Sequence, residues 1–209
     1  MAGSFMDCVF LLVANRNYCN DYFESLLEGM ETDLYIRELI NRLARLDAAS
    51  GWDGDLNPTQ RAVLAYLGRA NRFSRSPSHV AEYLGTTRGT ISQSFKSLQQ
   101  KGYVSELRSS RDKRTISFAL TPKGEGIAQT VSNLDHSLSE LSDSKKQALQ
   151  ATLTEVLRRF VQQNDGRAFG VCKTCIHYKA SSSGGFCTLL SEPLSPEDSS
   201  LICHEQQSA

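Results

Sequence analysis

Apolar residues recur with helical spacing from Thr32 to Ala48 and form a wide stripe along one face of the predicted helix. The stripe consists of Leu34, Ile36, Leu39, Ile40, Leu43 and Leu46. After a polar loop at Gly51 to Asp55, Asn57 is placed to cap a second helix, with Pro58 at its first position. The inward-facing residues of this second helix are predicted to be Val63, Leu64 and Leu67. These patterns predict a mainly helical chain.

Two further amphipathic segments lie between residues 121 and 164. The segment from Thr121 to about Leu141 has apolar residues at spacings of four, three, four and three, which is typical of a coiled-coil seam. These residues are Ile127, Val131, Leu134, Leu138 and Leu141. The segment from Asp143 to about Gln163, capped at Ser142 or Asp143, carries the stripe Leu149, Leu153, Val156, Leu157 and Phe160. Either an intrachain bundle or a second copy of the chain would cover these stripes.

The central part of the chain predicts a helix-turn-helix. The segment from Pro77 to Leu84 has helical apolar spacing, and Gly85 interrupts it. Thr87 is placed to cap the next helix, whose apolar face consists of Ile91, Phe95 and Leu98. In such a pair the second helix enters the major groove of DNA.

A basic β-hairpin is predicted directly after this helix pair. Gly102 ends the helix, and two strands follow with apolar residues at Tyr103, Val104 and Leu107 and then at Ile116, Phe118 and Leu120. The tip that joins them, Arg108 to Arg114, is polar and basic. The fold class is therefore mainly α with a small β-hairpin wing, an α+β winged helix-turn-helix.

The net charge of the whole chain does not reveal this basic region. The 209 residues contain 23 Lys and Arg against 23 Asp and Glu, so the formal net charge is zero. Between Thr86 and Lys123, however, the only acidic residues are Glu106 and Asp112. The basic residues of that stretch are Arg88, Lys96, Lys101, Arg108, Arg111, Lys113, Arg114 and Lys123. A local patch of this kind is the electrostatic mark of nucleic-acid binding.

With these residues in place, the region from about Met30 to Asn164 resembles the MarR (multiple-antibiotic-resistance regulator) family of bacterial transcription factors. Asp112-Lys113-Arg114 is similar to the family's wing motif, and Leu120-Thr121-Pro122-Lys123-Gly124 is similar to its transition from the wing into the next helix. The resemblance implies a homodimeric repressor that dimerises through its N-terminal helix and its last two helices. It also implies a pseudo-palindromic operator in double-stranded DNA, and many family members respond to a small-molecule effector.

The candidate DNA-binding residues lie on the second helix and the wing. Arg88, Ser92, Gln93 and Lys96 face outward and are predicted to meet base edges and phosphates, next to the capping Thr87. Arg108, Arg111, Lys113 and Arg114 are predicted wing contacts, with Asp112 orienting an arginine.

A four-cysteine segment follows Asn164, where Ser, Gly and Pro replace helix formers. Its cysteines, Cys172, Cys175, Cys187 and Cys203, have the spacing Cys-x2-Cys-x11-Cys-x15-Cys. Four thiolates suit tetrahedral zinc or an iron–sulfur cluster. His177 and His204 are alternative ligands but are expected to be bystanders.

An iron–sulfur cluster is the favoured ligand of these cysteines. The chain has one Cys-x-x-Cys pair rather than the two of a zinc ribbon, and its spacing, with Phe169, Tyr178 and Phe186 available as a shield, is similar to that of high-potential iron–sulfur proteins. Zinc is the alternative, and bare redox thiols or disulfides come third. A sensing cluster would bias DNA binding, whereas a structural zinc site would leave regulation to a small molecule.

Three segments are expected. Residues 1–29 are a poorly ordered N-terminal extension, or the result of a start site assigned too early. Residues 30–164 are the MarR-like domain, with dimerisation helices at 30–50 and 121–164 and the winged helix-turn-helix at 56–121, and residues 165–209 are a separate cysteine-rich module. The apolar run at Met6 to Ala14 is too short for a membrane span. Cys8 and Cys19 have no ligand-like spacing.

The expected location is the cytoplasm, since the cysteines occur without a convincing signal peptide. An enzyme is not expected, because the four histidines are scattered and no phosphate-binding glycine loop or catalytic set appears. A redox or electron-transfer protein that uses the winged helix as an interaction module is the minor alternative.

Overall fold

The fold is given by a computed structural model that describes residues 31–50, 54–108, 116–164, 166–181 and 184–207. The described residues fall into two compact units that divide between Asp47 and Ala48. Helix α1 spans Thr32–Ser50 and so reaches the end of the first unit, confirming the helix predicted from its apolar stripe. The predicted extension at 1–29 lies outside the described residues.

The second unit is built on three helices, α2 (Pro58–Arg69), α3 (Pro77–Tyr83) and α4 (Arg88–Gln100). Asn57 caps α2 in a capping box with Gln60, with Pro at the start of the helix as predicted. Side chains from all three helices form one core, in which Val63, Leu64, Leu67, Val80, Ile91 and Leu98 are fully buried. The predicted inward faces of α2 and α4 are therefore confirmed.

The hairpin follows α4 and is antiparallel. Strand β1 (Val104–Arg108) pairs with β2 (Ile116–Leu120) in a register that sets Val104 opposite Leu120 and Arg108 opposite Ile116. Gly102 has φ +75°, a conformation that glycine adopts without strain, and it ends α4. Phe118 stacks on Phe95 at a ring-centroid distance of 4.0 Å, which fixes the hairpin on the helical core.

The continuous helix predicted from Thr121 to Leu141 is wrong. Helix α5 spans Pro122–Ala128, and a separate helix α6 spans Asn133–Ser139. Ser132 caps α6 in a capping box with Asp135, so a new helix starts here although the apolar spacing continues across the break. Thr130 and Val131, both β-branched, favour the interruption.

Helix α7 spans Asp143–Gln163 with Ser142 as its N-cap, as predicted. Its apolar stripe is open in the single chain. The exposed fractions rise along the helix: Leu149 40%, Leu153 42%, Val156 51%, Leu157 62% and Phe160 63%. Among the described residues, no helix is both long and apolar enough to cross a membrane.

The cysteine-rich segment forms short strands in the same unit as the winged helix. Strand β3 (Gly170–Val171) leads into a 3₁₀ turn at Cys172–Thr174, and β3 pairs with β7 (Ile202–Cys203). Between them, β4 (Tyr178–Ser181), β5 (Gly184–Cys187) and β6 (Glu192–Leu194) form an antiparallel sheet, followed by α8 (Pro196–Ser200). The segment was expected to be a separate module, but it packs on the winged helix, since Phe169 and Ile202 contact the main core.

Candidate nucleic-acid interface and cysteine site

Helix α4 presents the predicted recognition face. The Thr87 Oγ1 accepts a hydrogen bond from the Thr90 backbone N–H at 3.1 Å and so caps the helix. Ile91, Phe95 and Leu98 turn inward, while the four predicted contact residues are exposed on the other face. Those four are Arg88, Ser92, Gln93 and Lys96.

The turn before α4 sets the angle of this face. Gly85 has φ +60°, and the Thr86 backbone N–H donates to the carbonyl oxygen of Ala81 at 2.9 Å. Val80 and Ala81 are buried beneath the turn. The two helices and their turn therefore form the predicted helix-turn-helix.

Only the base of the wing belongs to the described residues. Arg108 is exposed at the end of β1, and its Nε donates to Glu106 Oε1 at 2.7 Å. The remaining predicted wing residues, Arg111, Asp112, Lys113 and Arg114, lie outside the described part of the chain. Their contacts with DNA stay a prediction.

Two of the basic residues in this region, Lys101 and Lys123, make contacts within the fold. Lys101 Nζ donates to the backbone carbonyl of Asp55 and to Gln60 Oε1 at 3.3 Å. Lys123 Nζ lies 4.0 Å from the centroid of the Tyr103 ring and donates to the Lys101 carbonyl oxygen at 3.0 Å. Lys101 therefore ties the end of α4 to the start of α2, and Lys123 ties α5 to the turn before β1. The two cations of α4 itself, Arg88 and Lys96, are exposed.

The four tail cysteines line one pocket. Cys172 and Cys203 are buried and Cys175 and Cys187 are half-buried, and Tyr178, Leu189 and Leu194 complete the apolar part of the wall. Two N–H groups point at the sulfurs: Asn71 Nδ2 lies 3.2 Å from Cys172 Sγ, and the Gln207 backbone nitrogen lies 3.4 Å from Cys175 Sγ. The predicted ligand residues are thus brought together by the 3₁₀ turn after β3 and by strands β5 and β7.

Cys172 and Cys203 form a hydrogen-bonded pair of thiols in the pocket. The hydrogen bond from the Cys172 thiol, helped by bonds from the Glu205 backbone, Asn71 and Ser74, lowers the pKa of Cys203 to about 6 against the opposing effect of burial. The same bond, together with burial, raises the pKa of Cys172. Within this pair, the thiolate is favoured on Cys203 over Cys172.

The donor set fits a thiolate-bound metal centre in its chemistry. Four thiols share an apolar pocket, and N–H donors toward ligand sulfurs are what such centres use. Within the described ranges, however, no three His, Cys, Asp or Glu side chains are grouped closely enough to hold a single metal ion. A single zinc ion would require all four sulfurs to lie about 2.3 Å from one point.

The histidines expected to be bystanders and the aromatic residues expected to shield the cysteines lie in different places in the structure. His177 lies at the pocket edge, where its ring approaches Gln207, and His204 stacks on His79 at a centroid distance of 3.4 Å. Tyr178 lines the pocket as expected. Phe169 instead packs edge-on against Tyr83 at 5.1 Å in the winged-helix core.

Phe186, the third member of the predicted shield, is 39% exposed. Among the three aromatic residues, only Tyr178 lies against the cysteines.

A set of contacts that sequence reasoning missed joins the pocket to the loop between α2 and α3. Asn71 bonds Cys172, Ser74 Oγ accepts from the His204 backbone N–H at 2.9 Å, and Arg72 forms an ion pair with Asp198. The signal available in the sequence was weak: a polar Asn-Arg-Phe-Ser-Arg-Ser stretch between two helices.

The match to a family model covers the winged helix. Residues 54–115 match the model described as the MarR family. This range contains the helix-turn-helix and the first strand of the wing, together with the residues of the wing tip.

Two curated relatives extend the comparison. The chain is 29% identical over 113 residues to the HTH-type transcriptional regulator SarZ of Staphylococcus saprophyticus, spanning 53% of this chain and 76% of that protein. It is 28% identical over 159 residues to the transcriptional repressor MprA of Escherichia coli K12, spanning 73% of this chain and 88% of that protein. These relatives are transcription regulators and not enzymes.

Among solved structures, the S. aureus MepR–DNA complex has a similar fold. The TM-score is 0.50 at 18% sequence identity, and the likeness covers 63% of this chain and 99% of the MepR chain. At this identity the comparison concerns the fold, which is that of a winged helix with flanking helices.

Proposed function

We propose that this chain is a MarR-type, DNA-binding transcription regulator that acts in the cytoplasm as a homodimeric repressor. The family match, the two relatives and the winged-helix fold all support a regulator of this type. The observation that carries the proposal is the exposed face of α4, where Arg88, Ser92, Gln93 and Lys96 stand on a capped helix beside a basic wing.

The roles on this face follow from side-chain chemistry. Arg88, at the first turn of α4, is the candidate for a bidentate bond to a guanine edge, and Gln93 suits an adenine. Lys96 lies two turns further along, where a phosphate contact is expected. Arg111, Lys113 and Arg114 would add wing contacts to phosphates or the minor groove, with Asp112 orienting one of the arginines.

Dimerisation is supported by the open apolar stripe of α7, which a second copy would cover. A two-fold dimer would place two copies of α4 on half-sites about one helical turn apart, so the operator is expected to be pseudo-palindromic. The name of the MprA relative favours repression over activation.

The four-cysteine pocket is proposed to bind an iron–sulfur cluster that modulates DNA binding. Support comes from the shared pocket and from the N–H donors toward two of the sulfurs. A structural zinc site, with a small molecule as effector, is the alternative. The zinc alternative would be favoured by a content of about one zinc ion per chain.

The DNA-binding proposal is tested by fluorescence anisotropy on duplexes tiled across the DNA upstream of the gene. Arg88→Ala should reduce the preference for the best duplex over a scrambled one by about 5- to 150-fold, the equivalent of about 1–3 kcal/mol. Lys96→Ala should weaken binding to both duplexes and lower the salt slope by about one.

Lys179→Ala, which removes an exposed lysine on strand β4, is the charge-matched control and should leave both quantities unchanged. Failure of the chain to prefer any upstream duplex over its scrambled version would refute sequence-specific DNA binding and favour the redox-protein alternative.

The metal proposal is tested by purifying the full chain without oxygen and measuring visible absorption with iron, sulfide and zinc content. A brown protein with iron and sulfide supports the cluster, and a colourless one with about one zinc per chain supports the structural site. Cys175→Ser should lose the metal, whereas Cys19→Ser should retain it. Retention of metal by Cys175→Ser would exclude the four-thiol centre.

A further inference from the structure

The loop between α2 and α3 contains a fully buried asparagine that reaches into the cysteine pocket. Asn71 has no exposed surface, and its Nδ2 donates to Cys172 Sγ at 3.2 Å. Its Oδ1 accepts from the Phe73 backbone N–H at 3.1 Å and from Ser74 Oγ at 2.8 Å. One side chain therefore bonds a tail thiol with one end and holds its own loop with the other.

The same loop carries the first helix of the helix-turn-helix. Ser76 caps α3 by accepting from the His79 backbone N–H at 3.3 Å. The Arg75 carbonyl oxygen accepts from the Phe118 N–H at 3.1 Å, which links the loop to β2 of the wing. A shift of residues 71–75 would therefore move the start of α3 and the base of the wing together.

The tail forms further hydrogen bonds with this loop. The Asn71 backbone N–H donates to the Ile202 carbonyl oxygen at 2.9 Å, directly before Cys203. Ser74 Oγ accepts from the His204 N–H at 2.9 Å, and Arg72 Nη2 donates to the Pro193 carbonyl oxygen at 2.6 Å. These bonds anchor the loop to the segment that carries the thiols, and the Asn71 side-chain amide adds a direct bond to the Cys172 thiol.

The strength of the Asn71–Cys172 bond depends on the state of the sulfur. A thiolate, free or metal-bound, is a stronger acceptor than a neutral thiol or an oxidised sulfur, because the hydrogen bond is then charge-assisted. When the sulfur is a weaker acceptor, the buried Nδ2 group is held less firmly and the amide can turn away more readily. Because Oδ1 is fixed to Phe73 and Ser74, a turn of the amide breaks the bonds that hold the loop.

We propose that Asn71 is the positioning residue that couples the cysteine pocket to the DNA-binding helices. When the pocket holds its metal centre, the Asn71 amide bonds Cys172 and holds the loop in the arrangement that favours DNA binding. When the centre is lost, the loop relaxes and DNA affinity falls. This inference rests on the proposed function, since it assumes both DNA binding and a metal centre at the four thiols.

The test is Asn71→Asp in the full chain. Aspartate keeps the Oδ1 acceptor for Phe73 and Ser74 but replaces the N–H donor toward Cys172 with an oxygen. Asn57→Asp is the control for the same chemical change at an exposed site, the cap of α2, where aspartate also caps well. Each protein is isolated without oxygen with the metal it holds, and a portion is stripped with a chelator.

The readouts are anisotropy with the best upstream duplex and hydrogen exchange of the backbone amides. In the wild type, stripping should weaken DNA binding at least about fivefold, the lower end of ordinary allosteric coupling. Amide exchange in residues 71–83 should become faster at the same time. Asn57→Asp should behave like the wild type, whereas Asn71→Asp should respond to stripping by less than about twofold.

Different results would contradict the proposed function and the coupling through Asn71. A wild type that binds no duplex, or that holds no metal as isolated, refutes the proposed function itself. A wild type that binds DNA and metal but shows equal affinity before and after stripping overturns the coupling alone, as does a wild-type-sized response in Asn71→Asp. If Asn71→Asp does not fold, the wild-type exchange experiment decides, since a change confined to residues 166–207 overturns the inference.

Discussion

Gly124, in helix α5, lies against the backbone of Tyr103, directly before the first strand of the wing. A Cβ at this position would lie 2.1 Å from the Tyr103 carbonyl oxygen and 3.2 Å from Leu120 Cδ2. That carbonyl cannot retreat freely, because it accepts from the Thr121 N–H at 3.0 Å. The Thr-Pro-Lys-Gly transition therefore needs glycine for the close approach of two backbones.

Gly124→Ala is expected to destabilise the chain by about 1–3 kcal/mol, since the added methyl group must displace backbone atoms. Urea unfolding followed by circular dichroism measures the loss. Gly126→Ala on the same helix is the matched control: its Cβ would meet nothing within 4 Å, and it should stabilise by about 0.5–1 kcal/mol. Equal effects of the two substitutions would contradict the close approach.

His79 links the pH dependence of stability to the contact between α3 and the tail. Its ring stacks on His204, and its Nδ1 is buried with no hydrogen-bond partner in the described structure. Burial, followed by the neighbouring His204, lowers the pKa of His79 to about 4, and Glu205 opposes the shift while Arg167 adds to it. The folded chain therefore disfavours the charged imidazole.

Because the pKa is lower in the folded than in the unfolded chain, the unfolded chain binds the proton first as the pH falls. Stability is expected to be lost between about pH 6.5 and pH 4. His79→Phe keeps a ring in the stack but cannot titrate, so its unfolding free energy should fall less steeply over that window. Melting at pH 8, where the wild-type ring is neutral, measures the packing change alone. Parallel pH profiles of the two proteins would rule out this role of His79.

Among the secondary-structure elements, those with local signals were predictable. Caps at Asn57 and Thr87 and the inward face of α4 follow from neighbouring residues, and the structure confirms them. Ser142, one of the two predicted cap residues of α7, takes the N-cap position, but its side chain makes no cap hydrogen bond. The break between α5 and α6 was missed because the apolar spacing runs through it. The capping box formed by Ser132 and Asp135 is also a local signal, and it outweighed the apolar spacing.

Helix α7 is the element on which the homodimer proposal can be tested. Leu153 lies in the middle of its open stripe and is 42% exposed in the single chain. Leu153→Glu would place a charge in the apolar contact of a dimer, and it should weaken dimerisation at least about tenfold, since an unpaired buried charge costs several kcal/mol. Light scattering after size exclusion measures the mass.

Ala151→Glu adds the same charge two residues earlier, about 160° around the helix from Leu153. It should leave the dimer intact. A Leu153→Glu protein that keeps the dimeric mass at micromolar concentration would remove this stripe of α7 from the dimer contact.

At the scale of the folded unit that carries the winged helix, sequence reasoning identified the two candidate sites but not their connection. The exposed face of α4 and the four cysteines follow from spacing within short segments. The bond between Asn71 and Cys172 joins residues 101 positions apart, and no periodicity or motif reports such a contact. The expectation of a separate cysteine module came from a change in composition, which reveals a boundary in sequence but not what packs across it.

Because the tail packs on the winged helix, two phenylalanines of the tail are expected to contribute differently to the free energy of unfolding. Phe169 packs on Tyr66 and Tyr83 at centroid distances of 6.4 and 5.1 Å, whereas Phe186 on β5 is 39% exposed. Phe169→Ala should lower the unfolding free energy by about 2 kcal/mol, less than for a fully buried ring, because Phe169 is half-buried. Phe186→Ala should cost less than half as much.

Thermal and urea unfolding by far-ultraviolet circular dichroism measure both proteins, since the helical signal reports on α2 to α7 rather than on the tail strands. Because Phe169 belongs to the winged-helix core, its loss should shift the helical transition itself. If the tail were an independent module, Phe169→Ala would leave the helical transition in place and alter only the metal content. A helical midpoint equal to that of the wild type would therefore refute the docking, and with it the physical route from the cysteine pocket to the DNA-binding face.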